Sequence, residues 1–314
     1  MISLKAMKLV IIIPCFNEEK TLDLVVNSIP NKIEGISKIE IVIIDDGSTD
    51  KTIDVAKKLG VNYIISNTLN KGLARSFEIG LNKALSLDAD IIVNTDGDNQ
   101  YPQQNIPDLI KPILENKADI VVANRQTNKI KHFSFIKKLF QFLGSSVVRY
   151  LSGVQIPDAV SGFRAYSRDA AKQLNIVTEF SYAIETLIQA GKKKLSVKSI
   201  DIQTNSKTRE SRLFKNMWQH IKRSGSTIVR VFAMYEPFKT FFFISNLFFA
   251  PGFLLGLRFI YFYLLEGSTS GHIQSLILMA VLLIVGFQVF LIGLLADLIA
   301  NNRKLIEKIL RDRK

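Results

Sequence analysis

Cross-links and common nucleotide loops are missing from this chain. Cys15 is the only cysteine in 314 residues, so no intrachain disulfide can form and a reducing compartment is the simplest setting for the main domain. No G-x-G-x-x-G follows the first apolar run, and no G-x-x-x-x-G-K-[ST] occurs anywhere, which leaves dinucleotide-redox and P-loop chemistry without support. A Q-x-x-R-W sequence is absent too: the lone tryptophan, Trp218, follows Asn216-Met217. The run Leu9 to Ile13 follows a basic start but stops at Pro14 without a small-residue cleavage pattern, so it reads as a strand and not as a signal peptide.

What the chain does have is unevenly spread. Hydrophobic residues make up 47% of it and the formal charge is +13. Up to about Asn205, short apolar runs alternate with helix-like segments; the last eighty or so residues hold two long apolar runs, expected at about 240–265 and 273–297. Lys207, Arg209, Arg212, Lys215, Lys222 and Arg223 precede the first run, and Arg303, Lys304, Lys308, Arg311, Arg313 and Lys314 follow the second. The connection Glu266 to His272 carries no basic residue. That placement follows the positive-inside pattern, so the excess charge points to an anionic membrane surface and not to nucleic acid. It predicts an integral membrane protein with both termini and the main domain cytoplasmic. Arg258 and Gln288 interrupt the two runs, and Arg258 is near enough to the far end to snorkel outward.

Read in order, the first 205 residues predict strands at Lys8–Ile13, Ile39–Ile44, Val61–Ile65 and Ile91–Thr95. Helical spacing between them covers Thr21–Ile29, the residues after Ser48 or Asp50 as a cap, and Lys71–Leu85. Near-continuous apolar strands alternating with helices mean a mostly parallel sheet covered on both faces, whose ligands bind at the C-terminal strand ends. Three such ends are polar: Asn17/Glu18, Asp45/Asp46 and Asp96/Asp98.

Asp96-Gly97-Asp98-Asn99-Gln100 is the central stretch. In an extended segment, residues two apart share a face, so Asp96, Asp98 and Gln100 would offer oxygens to one hard cation, Mg2+ or Mn2+, held jointly with ligand phosphates. A plain Asp-Gly turn is the alternative. An EF-hand fails, because Tyr101 stands where glycine is required and Pro107 where glutamate is. Asp45 or Asp46 suits a ribose hydroxyl or base edge as well as a helix cap.

Pro14-x-Phe16-Asn17-Glu18, Asp45-Asp46-Gly47-Ser48-Thr49-Asp50, Asn70-Lys71-Gly72 and Asp96-x-Asp98-x-Gln100, in that order, resemble the inverting family-two glycosyltransferases of GT-A fold. Ala123-Asn124-Arg125 and Val160-Ser161-Gly162-Phe163-Arg164-Ala165-Tyr166 resemble its branch of dolichol-phosphate mannose synthases and polyprenyl-phosphate glucosyltransferases. The resemblance implies transfer of one sugar from a UDP- or GDP-sugar to a polyprenyl (dolichyl or undecaprenyl) phosphate. It implies Pro14, Phe16, Glu18, Asp45, Asp46 and Lys71 around the nucleotide, Asp96, Asp98 and Gln100 at the metal and diphosphate, and Arg125, Ser161 and Arg164 near the acceptor phosphate or the departing diphosphate. Pro157-Asp158 departs from the pattern, since several relatives carry a basic residue there.

An ionised lipid phosphate needs cations more than a general base. Glu179 and Glu185 fit helix packing beside the site better than base catalysis. Phe133 to Leu151 fits either core packing or an amphipathic flap, and Ser211 to Tyr235 a basic interfacial helix. The expected layout is a catalytic domain at 1–205, a juxtamembrane segment at 206–237, a membrane hairpin at 238–300 and a basic tail at 301–314. A homo-oligomer is allowed, because helical hairpins can pair by packing alone. A hydroxyl-acceptor transferase and a non-catalytic nucleotide-sugar-binding anchor stand as alternatives.

Overall fold

Strands apolar on both faces need helices on both sides. In the computed structural model, which describes residues 7–126, 135–177, 182–205, 225–226, 230, 232–266 and 273–312, the chain divides into two units, Met1–Ile228 and Val229–Lys314. The first unit is built on a seven-stranded sheet of β1 (Met7–Cys15), β2 (Ile36–Asp45), β3 (Tyr63–Ser66), β4 (Ile91–Asn94), β5 (Ile120–Asn124), β6 (Arg164–Ser167) and β7 (Val197–Asp201). Their order is β3-β2-β1-β4-β6-β5-β7. Every pairing is parallel except those of β6, which runs antiparallel to both β4 and β5.

Alternation along the strands assigns the two faces. Leu9, Ile11, Ile13, Ile43, Ile91 and Val93 share one core with Leu22 and Val25 of α1 (Leu22–Asn27) and Leu109 and Ile110 of α4 (Ile106–Leu114). Ile12 and Ile44 point the other way, onto α3 (Leu73–Ser86). There Gly80 lets the helix close on the sheet: a Cβ would lie 2.8 Å from Ile44 Cδ1 and 3.2 Å from Ile12 Cβ. The helix α2 (Thr52–Lys58) buries Thr52 and Ala56. Lys51, just before it, makes no side-chain cap; of the two expected caps, Asp50 serves the helix start, its Oδ1 accepting from the Thr52 N–H at 3.0 Å, whereas Ser48 Oγ accepts from the Asn17 N–H.

Two further helices complete the unit around α6 (Arg168–Gln173). The C-terminal half of α5 (Phe135–Ser152) buries Ser145 and Val148 and meets α7 (Tyr182–Lys192), so core packing accounts for that half; the side chains of 135–143 lie outside the described residues. Glu185 is buried on α7 and accepts from the Val177 N–H at 3.0 Å, a packing role. Glu179, Trp218 and most of the expected juxtamembrane helix lie outside the described residues.

The second unit is a helical hairpin of α8 (Pro237–Glu266) and α9 (Ile273–Asp312). Pro237–Leu265 and Ile273–Arg303 are long and apolar enough to cross a membrane by length and composition. Glycines bring the two together. A Cβ at Gly252 would lie 3.2 Å from Leu282, at Gly256 2.9 Å from Met279 Sδ, and at Gly293 2.7 Å from Phe241 Cβ. The Gly252-x-x-x-Gly256 face is therefore used inside the hairpin. At one end Arg303 donates to the Met234 carbonyl at 3.1 Å and lies 4.3 Å over the Tyr235 ring. The second helix does not stop at Asp297 but continues through the basic residues to Asp312.

The closest packing in the sheet yields a test. Gly80→Val should destabilise the first unit by about 1–3 kcal/mol through overpacking against Ile12 and Ile44. Thermal denaturation of the full chain in detergent should show the lowered midpoint; an unchanged midpoint would contradict this contact.

Candidate active site at the switch between β1 and β4

The chain winds from β1 to β3 on one side, then crosses to place β4 on the other side of β1. Such a reversal opens a crevice at the C-terminal strand ends. Ile12 pairs with Asn94, so Pro14 and Asp96 leave the sheet side by side. Gly97 fits where nothing larger would: its Cβ would lie 2.9 Å from Cys15 Sγ and 3.3 Å from Glu18 Cγ. The Thr21 hydroxyl links the pieces, 2.9 Å from Glu18 Oε2 and 2.8 Å from the Gly97 carbonyl. Burial, and then the charges of Glu18, Asp45, Asp96 and Asp98, push the Cys15 thiol well above its ordinary value, so it stays protonated.

The expected strand-like face over Asp96, Asp98 and Gln100 is not what forms. The segment turns: Asp98 Oδ1 accepts from the Gln100 N–H at 3.1 Å, and Asn99 adopts φ 58°. The gain of a local Asx-type hydrogen bond replaces the alternation on which that expectation rested. Asn205 ties the turn down, with its amide Nδ2 donating to the Asn99 carbonyl and its backbone N–H to the Gln100 carbonyl, both at 3.0 Å. Asp96, Asp98 and Gln100 remain partly exposed on this turn.

Behind Asp96 stands a wall that motif reading missed. A Cβ on Gly162 would sit 3.1 and 3.2 Å from the Asp96 carboxylate oxygens and 2.9 Å from the Tyr182 hydroxyl. Gly162 is held at both ends: its N–H donates to the Tyr101 hydroxyl at 2.9 Å, and its carbonyl accepts from Asn94 Nδ2 at 2.8 Å. Asn94 also donates to the Tyr182 hydroxyl at 2.9 Å. Tyr182 stacks on Phe77 with ring centroids 4.1 Å apart, and Tyr101 on Phe163 at 5.3 Å. Burial pushes the Tyr101 phenol up to about 12 and the Tyr182 phenol well above its usual range, so both serve as neutral props. Ser161 lies beside this wall, fully buried, and its hydroxyl oxygen has no hydrogen-bond partner among the described residues.

On the other side of β1, the acidic pair is engaged with the protein. Asp46 accepts from Asn67 Nδ2 and the Lys71 N–H at 2.9 Å and from the Gly72 N–H at 2.8 Å, and so ties down the 67–72 loop. Asp45 accepts from Ser66 Oγ at 3.1 Å and is fully buried. Gly47, at φ 75°, presses against the Leu69–Asn70 backbone, and its Cβ would lie 2.9 Å from Leu69 C. These contacts shape a crevice edge and leave the Lys71 side chain exposed. Pro14 is buried and Phe16 half-buried. Glu18, expected to line a nucleotide pocket, is buried and turned toward Thr21 and Gly97, a role in fixing the turn.

The two arginines part company. Arg164 is fully buried: its guanidinium donates to the Ser161, Ala183 and Ala159 carbonyls and to Thr186 Oγ1 at 2.7–2.8 Å. That corrects the expectation of a phosphate contact, since the side chain is fully buried and four of its five N–H donors hold the 159–164 loop to α7. Arg125 makes a bidentate pair with Asp158, Nε to Oδ2 at 2.7 Å and Nη2 to Oδ1 at 2.9 Å. Two of its five N–H donors are used there, and no acceptor among the described residues takes the other three, on a side chain still 17% exposed. Burial alone would raise the Asp158 carboxyl, but the charge and hydrogen bonds of Arg125 overcome it and hold the group below its ordinary value.

That depressed value sets a pH dependence. The pair's contribution is complete above the ordinary aspartate pKa of about 3.9 and is lost as pH falls through the lower folded value. Asp158→Ala should cost about 3–5 kcal/mol near neutrality by stranding Arg125. The gap between wild type and variant should close below about pH 4 in chemical denaturation; a pH-independent gap would contradict the pairing.

Comparison with known proteins bears on the family and the fold. Residues 10–174 match the model of glycosyl transferase family 2. The UDP-N-acetylglucosamine–dolichyl-phosphate N-acetylglucosaminyltransferase of Methanococcus voltae is 33% identical over 215 residues, covering 62% of this chain and 84% of the relative. The dolichol-phosphate mannosyltransferase of Pyrococcus furiosus is 33% identical over 193 residues, covering 58% and 53%. Among solved structures, glucosyl-3-phosphoglycerate synthase from Mycobacterium tuberculosis, in complex with Mn2+, UDP-glucose and phosphoglyceric acid, superposes with a TM-score of 0.55 at 18% identity, over 72% of this chain and 79% of that one. The sheet, its switch point and the matched segment agree: the chain is a glycosyltransferase and belongs to glycosyltransferase family 2.

Proposed function

We propose that this protein transfers one sugar, with inversion, from a nucleoside diphosphate sugar to a polyprenyl phosphate at the cytoplasmic face of a membrane. The observation that carries the reading is the partly exposed Asp96-Gly97-Asp98 turn at the β1/β4 switch of a family-two chain that continues into two span-length apolar helices. The names of the Methanococcus and Pyrococcus relatives support the dolichyl-phosphate acceptor. UDP- and GDP-linked donors both suit the crevice chemistry.

The donor set fits Mg2+ or Mn2+. Asp96, Asp98 and Gln100 offer oxygen ligands only, on a turn open enough to leave positions for phosphate oxygens and water. When bound, such an ion would neutralise charge developing on the diphosphate leaving group. The chain's own residues do the rest. Asn94, Tyr101 and Tyr182 hold Gly162 against Asp96, which keeps the carboxylate in place without reorganisation. Arg125, steered by Asp158, turns toward a phosphate the N–H donors that Asp158 does not take, whereas the fully buried Ser161 hydroxyl, expected at the same phosphate, would need its loop to shift to reach it. The acceptor, ionised near neutral pH, brings its own nucleophile, so no base is required from Glu179 or Glu185.

The layout beyond the catalytic domain follows the same reading. Residues 206–237 form a basic interfacial segment, 238–300 the membrane hairpin and 301–314 a basic end, with both termini cytoplasmic.

Incubating the full chain in detergent with radiolabelled UDP- and GDP-sugars, polyprenyl phosphate and Mn2+ or Mg2+ tests the proposal. Labelled lipid is expected, and Asp98→Asn should cut kcat/KM by about 100-fold or more. Gly162→Ala, which crowds Asp96, should raise the metal concentration needed for half activity while leaving the protein folded. Folded protein that yields no labelled lipid across the donor panel would overturn the reading.

A further inference from the structure

Gly286 and Gly293 of α9 close on Phe249 and Phe241 of α8, and Ala300, seven residues further on, is buried on the same face. The opposite face also has a seven-residue period. Ile277, Ile284, Leu291, Leu298 and Leu305 recur along it, each 42% exposed or more. Interleaved with them, three or four residues away, is a second row whose polar members are Gln274, Gln288 and Asn302, fourteen residues apart. All three are exposed, and none has a hydrogen-bond partner among the described residues.

Isolated leucines facing outward from a membrane helix need no partner beyond lipid. A carboxamide at the middle of the span does, because hydrocarbon offers it neither donor nor acceptor. Gln288 sits midway along Ile273–Arg303. The row it belongs to has the form of a coiled-coil seam: branched aliphatics at each d position, and a alternating between Gln or Asn and Val, Leu or Ile. A strict seven-residue period on both faces matches one left-handed supercoil, so the inner and outer seams are compatible.

We propose that this outward face of α9 is the interface with a second copy of the chain, paired in parallel about a twofold axis along the membrane normal. The inference rests on the membrane reading given above. In that pairing the Gln288 amides of the two copies satisfy each other, which fixes register, and Asn302 does the same near the basic end. Lipid alone would leave no reason for the polar residues to keep the seven-residue register, and a second copy presents the same carboxamides in that same register.

Single-cysteine scanning tests it on the full chain reconstituted in phosphatidylcholine/phosphatidylglycerol vesicles, with the buried Cys15 retained. Oxidative cross-linking should peak at Ile284→Cys, Gln288→Cys, Leu291→Cys and Leu298→Cys and fall at Val289→Cys and Ala296→Cys. Energy transfer between labelled wild-type copies should report dimers, and Gln288→Leu should lower the dimer fraction about fivefold at equal dilution in lipid. Cross-linking without that period, a wild type monomeric at every protein-to-lipid ratio, or an unaltered Gln288→Leu dimer would overturn the proposal. Vesicle flotation separates the two layers of the argument. A chain that floats but fails these tests refutes the seam alone, whereas one that does not float refutes the membrane reading and the seam with it.

Discussion

The approach of Gly162 to Asp96 is the constraint on which the catalytic unit depends. A carboxylate at a strand end, beside three other acidic groups, is costly to hold still unless its surroundings are fixed in advance. Here the loop before β6 is drawn up to within van der Waals contact of it, and only a residue without a side chain fits between the carboxylate and the Tyr182 hydroxyl. Everything nearby serves that contact. Tyr101 and Asn94 clamp the two ends of Gly162, Phe77 and Phe163 back the two tyrosines, and the buried Arg164 gathers the loop onto α7. The antiparallel insertion of β6 between β4 and β5 is what delivers this loop to the switch point.

The acidic motifs divide their work in a way that electrostatics explains. Asp46 and Glu18 are buried with hydrogen bonds to backbone amides or hydroxyls, and they act as internal ties that shape the crevice. Asp96 and Asp98, on the turn at the strand end, are only partly buried. Arg125 and Asp158 lie between these extremes: a buried carboxylate orients a guanidinium that is still partly exposed. Pairing neutralises part of the positive charge while fixing its direction, which favours a phosphate of defined position over general anion attraction.

Much of this was legible in the sequence, for identifiable reasons. Leu9–Ile13 and Val42–Ile44 are buried on both faces, so their apolar runs announced a covered parallel sheet, and charged strand ends located the crevice. Helix periodicity placed Thr21–Ile29 and Lys71–Leu85 within a few residues. What was not legible came from contacts distant along the chain. Asn94 reads as the tail of an apolar strand until Gly162, 68 residues later, accepts from it. Arg164 looks like a phosphate ligand in its motif, and only the fold shows Ala183 and Thr186 capturing its donors. The Asp96 to Gln100 turn defeated a strand-based argument because a local side-chain hydrogen bond outcompeted extension. A polar residue inside an apolar strand was the one signal that could have exposed the wall behind the site.

The central claim is that the Asp96-Gly97-Asp98 turn clamps a divalent ion together with the donor diphosphate. Anomalous diffraction from crystals of the protein grown with Mn2+ and a nucleoside diphosphate measures this directly. The account predicts a single manganese peak in coordination contact with Asp98 and with both phosphates, next to an undisplaced Gly162. A nucleotide bound with the metal elsewhere, or with Asp98 turned away from it, would contradict the account.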